Sequence, residues 1–377
     1  MRQTRYEIEE GVFAHIPEPL PPRLEYTREL LDLVSKAERS LALLKGASSM
    51  FKHIEVMTLP SLLKEAVASV RLEGIRTTFD EVAEYSAQPT LFERNPDSQE
   101  AWNYSTAMTM GFIRMSRLPL SGRLICEIHE ELMKGVSGEK KTPGQFRTGG
   151  VRLGGVSNRD AKYIPPPHQF VLELIGELDR YMNTQDGEAE LIRCALIHYQ
   201  FEAIHPFWDG NGRAGRLLIS LYLHNRGLLE YPILNMSQYF EAYKGDYYRG
   251  LEAVSNHGNW AAWVEFFLTA VSRQAQSRFE ALSRLSRLYD DTRKTLEDRR
   301  ASILDVKTVD IIFERLYITA RSLREHLAEK SGDKISPPTS YHIIERLTEM
   351  GFLRKATRRK RPATYYSPQL LEFWDSV

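Results

Sequence analysis

The chain has 377 residues, with 50 Lys and Arg against 50 Asp and Glu, so its formal charge is zero, which excludes a surface uniformly suited to coating nucleic acid or anionic membrane. At 42% hydrophobic and 27% charged it has the composition of a folded globular protein, and at ~150 residues per domain its length suggests two or three domains. Cys126 and Cys194 form no CxxC spacing, which excludes zinc ribbons and disulfide frameworks and points to a reducing compartment. The N-terminus MRQTRYEIEEGVFAH lacks an apolar centre, and no run reaches the ~18 apolar residues of a membrane span; a cytoplasmic protein without a signal peptide is expected.

In chain order, the segment to about Arg23, with Pro17, Pro19, Pro21 and Pro22, reads as an extended arm. Leu30, Leu31, Val34, Ala37, Leu41 and Leu44 then recur at helical spacing, with a stop at Gly46. A second helix is predicted from Pro60 to Glu73, closed by Gly74. Amphipathic stretches follow at about 98–116, 121–135, 168–183, 188–203 and 213–226. They are interrupted at about 139–165, where Gly, Pro and Asn residues flank a short Val-Arg-Leu run, a β-hairpin or irregular flap inserted into a helical protein. The charged stretch 259–299 reads as a helix bridging to a separate C-terminal unit.

The densest chemistry lies between two of these helices, in His205-Pro206-Phe207-Trp208-Asp209-Gly210-Asn211-Gly212-Arg213-Ala214-Gly215-Arg216. A Gly-Asn-Gly turn entering a helix points several backbone N–H groups the same way, which with the helix dipole makes an anion site suited to phosphate. Arg213 and Arg216, one turn apart, lie on one face to grip phosphate oxygens. Asp209 is a hard oxygen ligand for Mg²⁺, the usual companion of a polyphosphate. His205 is the side chain able to take a proton near neutral pH. Gly210, Gly212 and Gly215 also spell GxGxxG, but that fingerprint needs a preceding β-strand, and AELIRCALIHYQFEAI reads as a helix.

HPFWDGNGRAGR resembles the signature of the Fic family, HxFx[D/E]GNGRxxR, at every defining position. The chain from the Leu-Pro-Pro arm to about residue 275 is similar to Fic proteins carrying an N-terminal inhibitory helix. The resemblance implies transfer of AMP from ATP to a Ser, Thr or Tyr hydroxyl of a protein, possibly the chain itself. His205 would deprotonate that hydroxyl. Asp209 would hold Mg²⁺ on the α- and β-phosphates, while Gly210, Asn211, Gly212 and Arg213 would form the phosphate turn. Arg216 would reach the γ-phosphate, and Phe207 would be a core anchor. GQFRTGGVRLGG followed by Tyr163-Ile164-Pro165-Pro166 is similar to the family's hairpin, which lays the target segment down as an added strand. Tyr239, Tyr243, Tyr247 and Tyr248, on a helix after the motif, resemble residues lining the family's adenine pocket, Tyr243 and Tyr247 being the candidates for nucleotide binding. Ser69-Val70-Arg71-Leu72-Glu73-Gly74 is similar to the inhibitory motif [S/T]xxxE[G/N]. A Glu in a last helical turn faces the negative end of the dipole and needs a cation; the resemblance supplies Arg216, and makes Glu73 a brake on γ-phosphate placement. Some members use that Glu to remove AMP instead, and dimers are common among them.

From about 301 the pattern changes. Val309, Ile312, Phe313 and Leu316 form one stripe, Thr319 caps a second helix, and 338–350 makes a third. Arg354, Lys355, Arg358, Arg359, Lys360 and Arg361 then lead through a hairpin to Tyr365-Tyr366. Three helices and a basic hairpin over 354–366 resemble a winged helix-turn-helix, whose partner would be DNA. The expected organisation is an N-terminal helical region (1–95), a Fic core (96–275), a helical linker (276–300) and a winged helix (301–377). The expected fold is mostly α with a small β-hairpin flap. The alternatives are a DNA-binding regulator with a nucleotide-sensing core, and a relative using another nucleotide or a phosphocholine donor.

Overall fold

The computed structural model describes residues 4–87, 95–136, 140–185, 187–356 and 363–377, and helices predominate among them beside two small antiparallel sheets. Arg5–Glu9 (β1) and Val12–His15 (β2) pair about a turn at Gly11, φ +74°. The front of the expected extended arm is therefore a hairpin. Its first strand is almost wholly exposed, so it carries little of the alternation that marks a strand.

Arg28–Met50 (α1) begins where the Thr27 side chain accepts the Leu30 N–H at 3.2 Å. It runs past the predicted stop at Gly46, because a helical Gly costs only about 1 kcal/mol and Ser48 continues the buried stripe of Leu41 and Leu44. Glu55–Leu72 (α2) starts a turn earlier than Pro60, which lies buried inside it, and Glu73 caps its C-terminus. Phe79–Ala87 (α3), absent from the sequence reading, leads to Pro96–Met115 (α4) and Gly122–Leu132 (α5).

The flap carries one β bridge, Leu153 with Tyr163, and is otherwise irregular among its described residues. Asp160 explains much of this, since its carboxylate takes the N–H groups of Val156 (2.9 Å) and Ser157 (2.6 Å) that a ladder would need. Val171–Asn183 (α6) follows, then Glu190–Ile204 (α7) and Asn211–Asn225 (α8). Nearly every residue of α7 and α8 is buried, as in helices surrounded on all sides. They contact each other, with α6 and α11 against α7 and α4, α5 and α2 against α8. The loop at 205–210 is thus held between two almost wholly buried helices.

Met236–Ala242 (α9) and Lys244–His257 (α10) break at Tyr243, so the four tyrosines do not share one helix. Trp260–Asp298 (α11) is a single 39-residue helix along which α1 packs. Beyond it come Ile303–Arg315 (α12), Tyr317–Ile318 (β3), Ala320–Ser331 (α13), Pro337–Glu349 (α14), Arg354–Lys355 (β4), Tyr365–Tyr366 (β5) and Pro368–Asp375 (α15), with sheet order β3-β5-β4. Arg358, Arg359, Lys360 and Arg361 lie outside the described residues. This C-terminal part packs on α2 and α3: α12 lies against α2, Tyr317 Oη donates to Asp80 at 3.1 Å, and Thr364 Oγ1 donates to the buried Glu84 at 2.8 Å. No described helix is long and apolar enough to cross a membrane.

Candidate active site

His205 ends α7 in the left-handed region, φ +50°. Such a conformation costs about 1–3 kcal/mol for a non-glycine residue, and the buried Arg147 on the flap compensates. Its Nε donates to the His205 carbonyl at 2.8 Å, and its terminal nitrogens donate to the carbonyls of Gly149 (2.8 Å), Pro166 and Ile204 (3.3 Å). Charged hydrogen bonds are worth about 1.5–3 kcal/mol each, so this clamp outweighs the strain and ties flap to loop. The His205 Nδ1 lies 3.4 Å from the Glu202 carbonyl; a carbonyl only accepts, so Nδ1 carries the proton and Nε2 is the free acceptor. Burial, assisted by the Arg147 guanidinium and opposed by the Glu202 carbonyl, pushes the imidazole down to about 4. It is neutral at pH 7 and ready to take a proton.

Gly210 caps α8 with φ +72°, and a Cβ there would meet Met133 Sδ at 2.9 Å. The N–H groups of Asn211, Gly212 and Arg213 precede the first α8 bond, Ala214 N–H to Gly210 O at 3.0 Å, and make the anion turn. The Asn211 side chain is engaged within the loop: its Oδ1 accepts the Phe207 N–H at 2.8 Å and its Nδ2 donates to the Phe207 carbonyl at 2.9 Å. What Asn211 offers a phosphate is therefore its backbone N–H. Phe207 is fully buried and stacks on His129, centroids 3.7 Å apart. His129 Nδ1 accepts the Gly144 N–H at 3.0 Å, which leaves Nε2–H to donate to the Asp209 carbonyl at 2.9 Å. Burial holds this ring neutral, down to about 4.

The Asp209 carboxylate meets Lys141 at 2.8 Å and Arg213 at 3.7 Å. Burial opposes its ionisation, but Lys141, Arg213 and the Gly210 N–H outweigh it and hold Asp209 below the usual carboxylate range. Mg²⁺ takes one or two protein carboxylates and fills its shell with phosphate oxygens and water. One ionised carboxylate beside an anion turn fits that donor set, and no cluster of three metal-ligating side chains exists among the described residues.

Glu73 sits across from this loop and bridges both arginines. Its Oε2 lies 2.8 Å from Arg213 Nε and its Oε1 lies 2.8 Å from Arg216. The two guanidiniums are only 3% and 2% exposed. Their remaining partners differ: Arg213 pairs with Glu100 at 2.5 Å, and Arg216 with the Ser69 hydroxyl at 2.8 Å and carbonyl at 3.0 Å. A Cβ on Gly212 would lie 2.9 Å from the Glu73 carboxylate, so the glycine is what lets Glu73 approach the turn. Sequence reasoning found Glu73 and Arg216 but missed the Arg213 contact and Glu100. It missed Arg147, His129 and Lys141 too; each is distant in sequence and isolated in pattern.

His205, Asp209, the Gly210–Arg213 turn, Arg216, Glu73, Glu100 and Lys141 line a cavity of about 830 Å³. Tyr247 and Tyr248 line it and Tyr243 does not: the Tyr243 ring lies against Tyr239 at 4.5 Å and its hydroxyl faces Arg273. Tyr247 is itself buried, its hydroxyl donating to His198 Nε2 at 2.9 Å while His198 Nδ1–H reaches the Gly215 carbonyl at 3.0 Å.

Residues 119–223 match the Fic/DOC family model, and residues 31–113 match the model of the Fic/DOC family N-terminal region. A protein of Aquifex aeolicus (strain VF5) named a probable protein adenylyltransferase is 27% identical over 179 residues, 48% of this chain and 53% of that protein. The protein adenylyltransferase Fic of Aedes aegypti is 30% identical over 166 residues, 43% of this chain and 30% of that one. The chain thus spans about half, or less, of the length of these relatives. Among solved structures, a Fic family protein from Desulfovibrio desulfuricans G20 superposes with a TM-score of 0.57 at 20% identity, covering 92% of this chain and 98% of that one. Residues 134–508 of Fic-1 from C. elegans superpose with a TM-score of 0.54 at 19% identity, covering 68% and 74%. The chain carries a Fic/DOC domain behind a Fic/DOC N-terminal region.

Proposed function

We propose that this chain is a protein adenylyltransferase, moving AMP from ATP to a Ser, Thr or Tyr hydroxyl of a protein, the chain itself included. The observation that carries the reading is a neutral His205 beside an anion turn whose two arginines lie in the same cavity. The α- and β-phosphates lie on the N–H groups of Asn211, Gly212 and Arg213, with Arg216 toward the γ-phosphate. Asp209 would hold Mg²⁺, which when bound would neutralise phosphate charge. The target hydroxyl oxygen attacks the α-phosphorus and its proton passes to His205 Nε2. The bond from that phosphorus to the bridging oxygen breaks, and pyrophosphate leaves. Arg147 keeps His205 oriented and fixes the flap on which the target strand lies.

In this reading Glu73 is a brake. Its carboxylate occupies both arginines, and a triphosphate must displace it from Arg216 before the α-phosphorus faces the incoming hydroxyl. The test is incubation of the Glu73→Gly protein with each α-labelled nucleotide and Mg²⁺, with the Glu73→Gly/His205→Ala protein as control. Label from ATP that depends on His205 is the expected result; no label from any nucleotide removes the reading.

For residues 301–377 the order α12-β3-α13-α14-β4-β5, with sheet order β3-β5-β4, supports a winged helix with α14 as its recognition helix. Duplex-DNA binding that weakens steeply with salt is the expected property, and absent or salt-insensitive binding counts against it.

A further inference from the structure

Glu73 does not lie within α2. It caps that helix, with φ −87° and ψ 2°, and so stands in the short turn between α2 and α3. The position of its carboxylate therefore depends on both ends of that turn. At the near end, α2 is buried along most of its length, against α4, α8 and α9 of the core and α12 of the C-terminal unit. Within the turn, Arg71 Nε donates to the Thr77 carbonyl at 2.9 Å, and the Thr77 hydroxyl lies 3.1 Å from that of Ser98 on α4.

At the far end the C-terminal unit grips α3. Tyr317 on β3 donates to Asp80 at 3.1 Å, and Thr364, next to β5, donates to Glu84 at 2.8 Å. Asp80 and Glu84 stand one turn apart on one face of α3, and β3 and β5 are neighbours in one sheet. Tyr317, Thr364 and Glu84 are all buried. Phe79, the first residue of α3, packs on Trp374 of α15, with ring centroids 6.1 Å apart. A helix of nine residues is too short to be stable by itself, so its place is set by its neighbours: α2, α4 and the C-terminal unit.

We infer that the C-terminal unit regulates AMP transfer by holding Glu73 across the two arginines, through the grip of β3 and β5 on α3. The inference rests on the reading of Glu73 as a brake. With α3 gripped, the turn keeps the position in which Glu73 meets Arg213 and Arg216 at 2.8 Å each. The ion pairs are then preorganised, and a triphosphate must displace a carboxylate already in place. Loosening α3 opens more positions to the turn. Ordering it again costs conformational entropy, and the triphosphate competes better. Coupling of this kind is reciprocal: whatever displaces Glu73 also weakens the grip on α3.

The experiment compares incorporation of labelled AMP from α-labelled ATP, with Mg²⁺, by the wild-type and Glu73→Gly proteins, each with and without the pair Tyr317→Phe/Thr364→Val. Neither residue lines the cavity, and the changes remove the hydroxyls that donate to α3 while nearly keeping their shapes. The pair should raise incorporation by the wild type about fivefold or more. It should leave the Glu73→Gly protein unchanged, since no brake remains there to release. No rise over the wild type, or the same change in both backgrounds, overturns the coupling and leaves the transferase reading standing. If the double change prevents folding, Tyr317→Phe alone decides by the same comparison, with a smaller rise expected. Equal incorporation by the wild-type and Glu73→Gly proteins contradicts the brake, and this inference with it. No label in any of the four proteins contradicts the transferase reading itself.

Discussion

The α7–α8 loop and the C-terminal unit from α12 onward differ in how deeply their paired cations are buried. At the loop, Arg213 and Arg216 are 3% and 2% exposed and meet carboxylates from α4, from the end of α2 and from the loop itself. In the C-terminal unit the Arg321–Glu325 pair has side chains 65% and 58% exposed, and Lys307 meets Asp333 with about a third of each side chain in water. Solvated pairs of that kind cost little to form and add little to stability. Buried pairs carry a desolvation penalty of several kcal/mol per ion, and apolar side chains would serve the fold as well. A protein that buries two guanidiniums under one shared carboxylate keeps a cationic site whose anion can be exchanged. Glu73 is the resident anion, and under the proposed function a triphosphate would be the replacement.

Four perturbations test this contrast, in decreasing order of expected effect. His205→Ala in the Glu73→Gly protein should lower label transfer by about 10²–10⁴-fold without altering the far-UV circular dichroism spectrum. Next, Glu100→Gln strips Arg213 of its closest carboxylate and should cost about 3 kcal/mol in urea unfolding, the low end for breaking a buried pair. Combined with Glu73→Gly it should cost more than the sum of the single changes, since Arg213 then keeps only Asp209.

Lowering the pH titrates the same core. Burial holds His205 and His129 at about 4 and His198 at about 3. Between the ordinary histidine value of 6.5 and these values the unfolded chain binds protons that the folded chain does not. The histidines' contribution is therefore full above pH 6.5 and is lost as the pH drops toward 4, by several kcal/mol in denaturant titrations. The buried Glu65 and Glu202, which burial pushes up to about 7, offset this in part, because they favour the fold as they take up protons. The acid limb of transfer should lie well below pH 6.5. A midpoint at 6.5 would show that His205 is not held as its surroundings indicate. Last, Arg321→Ala should leave the urea midpoint where it is; a clear shift there would erase the distinction between the two regions.

Much of the site was legible because its parts are local. His205, Asp209, Gly210, Asn211, Gly212, Arg213 and Arg216 lie within twelve residues, and the α7 and α8 periodicities frame them. Glu73 was legible through a motif with an electrostatic oddity, a carboxylate at a helix C-terminus. The long-range partners were not. Glu100 stands just past the first turn of α4, one isolated acid near a helix N-terminus where acids are favoured whatever their partner. Arg147 sits in a Gly-rich stretch whose irregular path follows from contacts to loop carbonyls, and carbonyls leave no trace in sequence pattern. Tyr243 was misplaced for a related reason: the break between α9 and α10 rotates it out of the cavity that Tyr247 and Tyr248 line. At Gly46 and Pro60 the residues that ordinarily stop or start helices lie inside them, because the buried stripes of α1 and α2 continue past both.

The central claim is that Glu73 holds the two arginines against a triphosphate. The most direct measurement is incorporation of labelled AMP from α-labelled ATP by the wild-type and Glu73→Gly proteins, at equal concentration, with Mg²⁺. The account predicts a large rise in the Glu73→Gly protein over a slow wild type. Equal incorporation by the two proteins would contradict it.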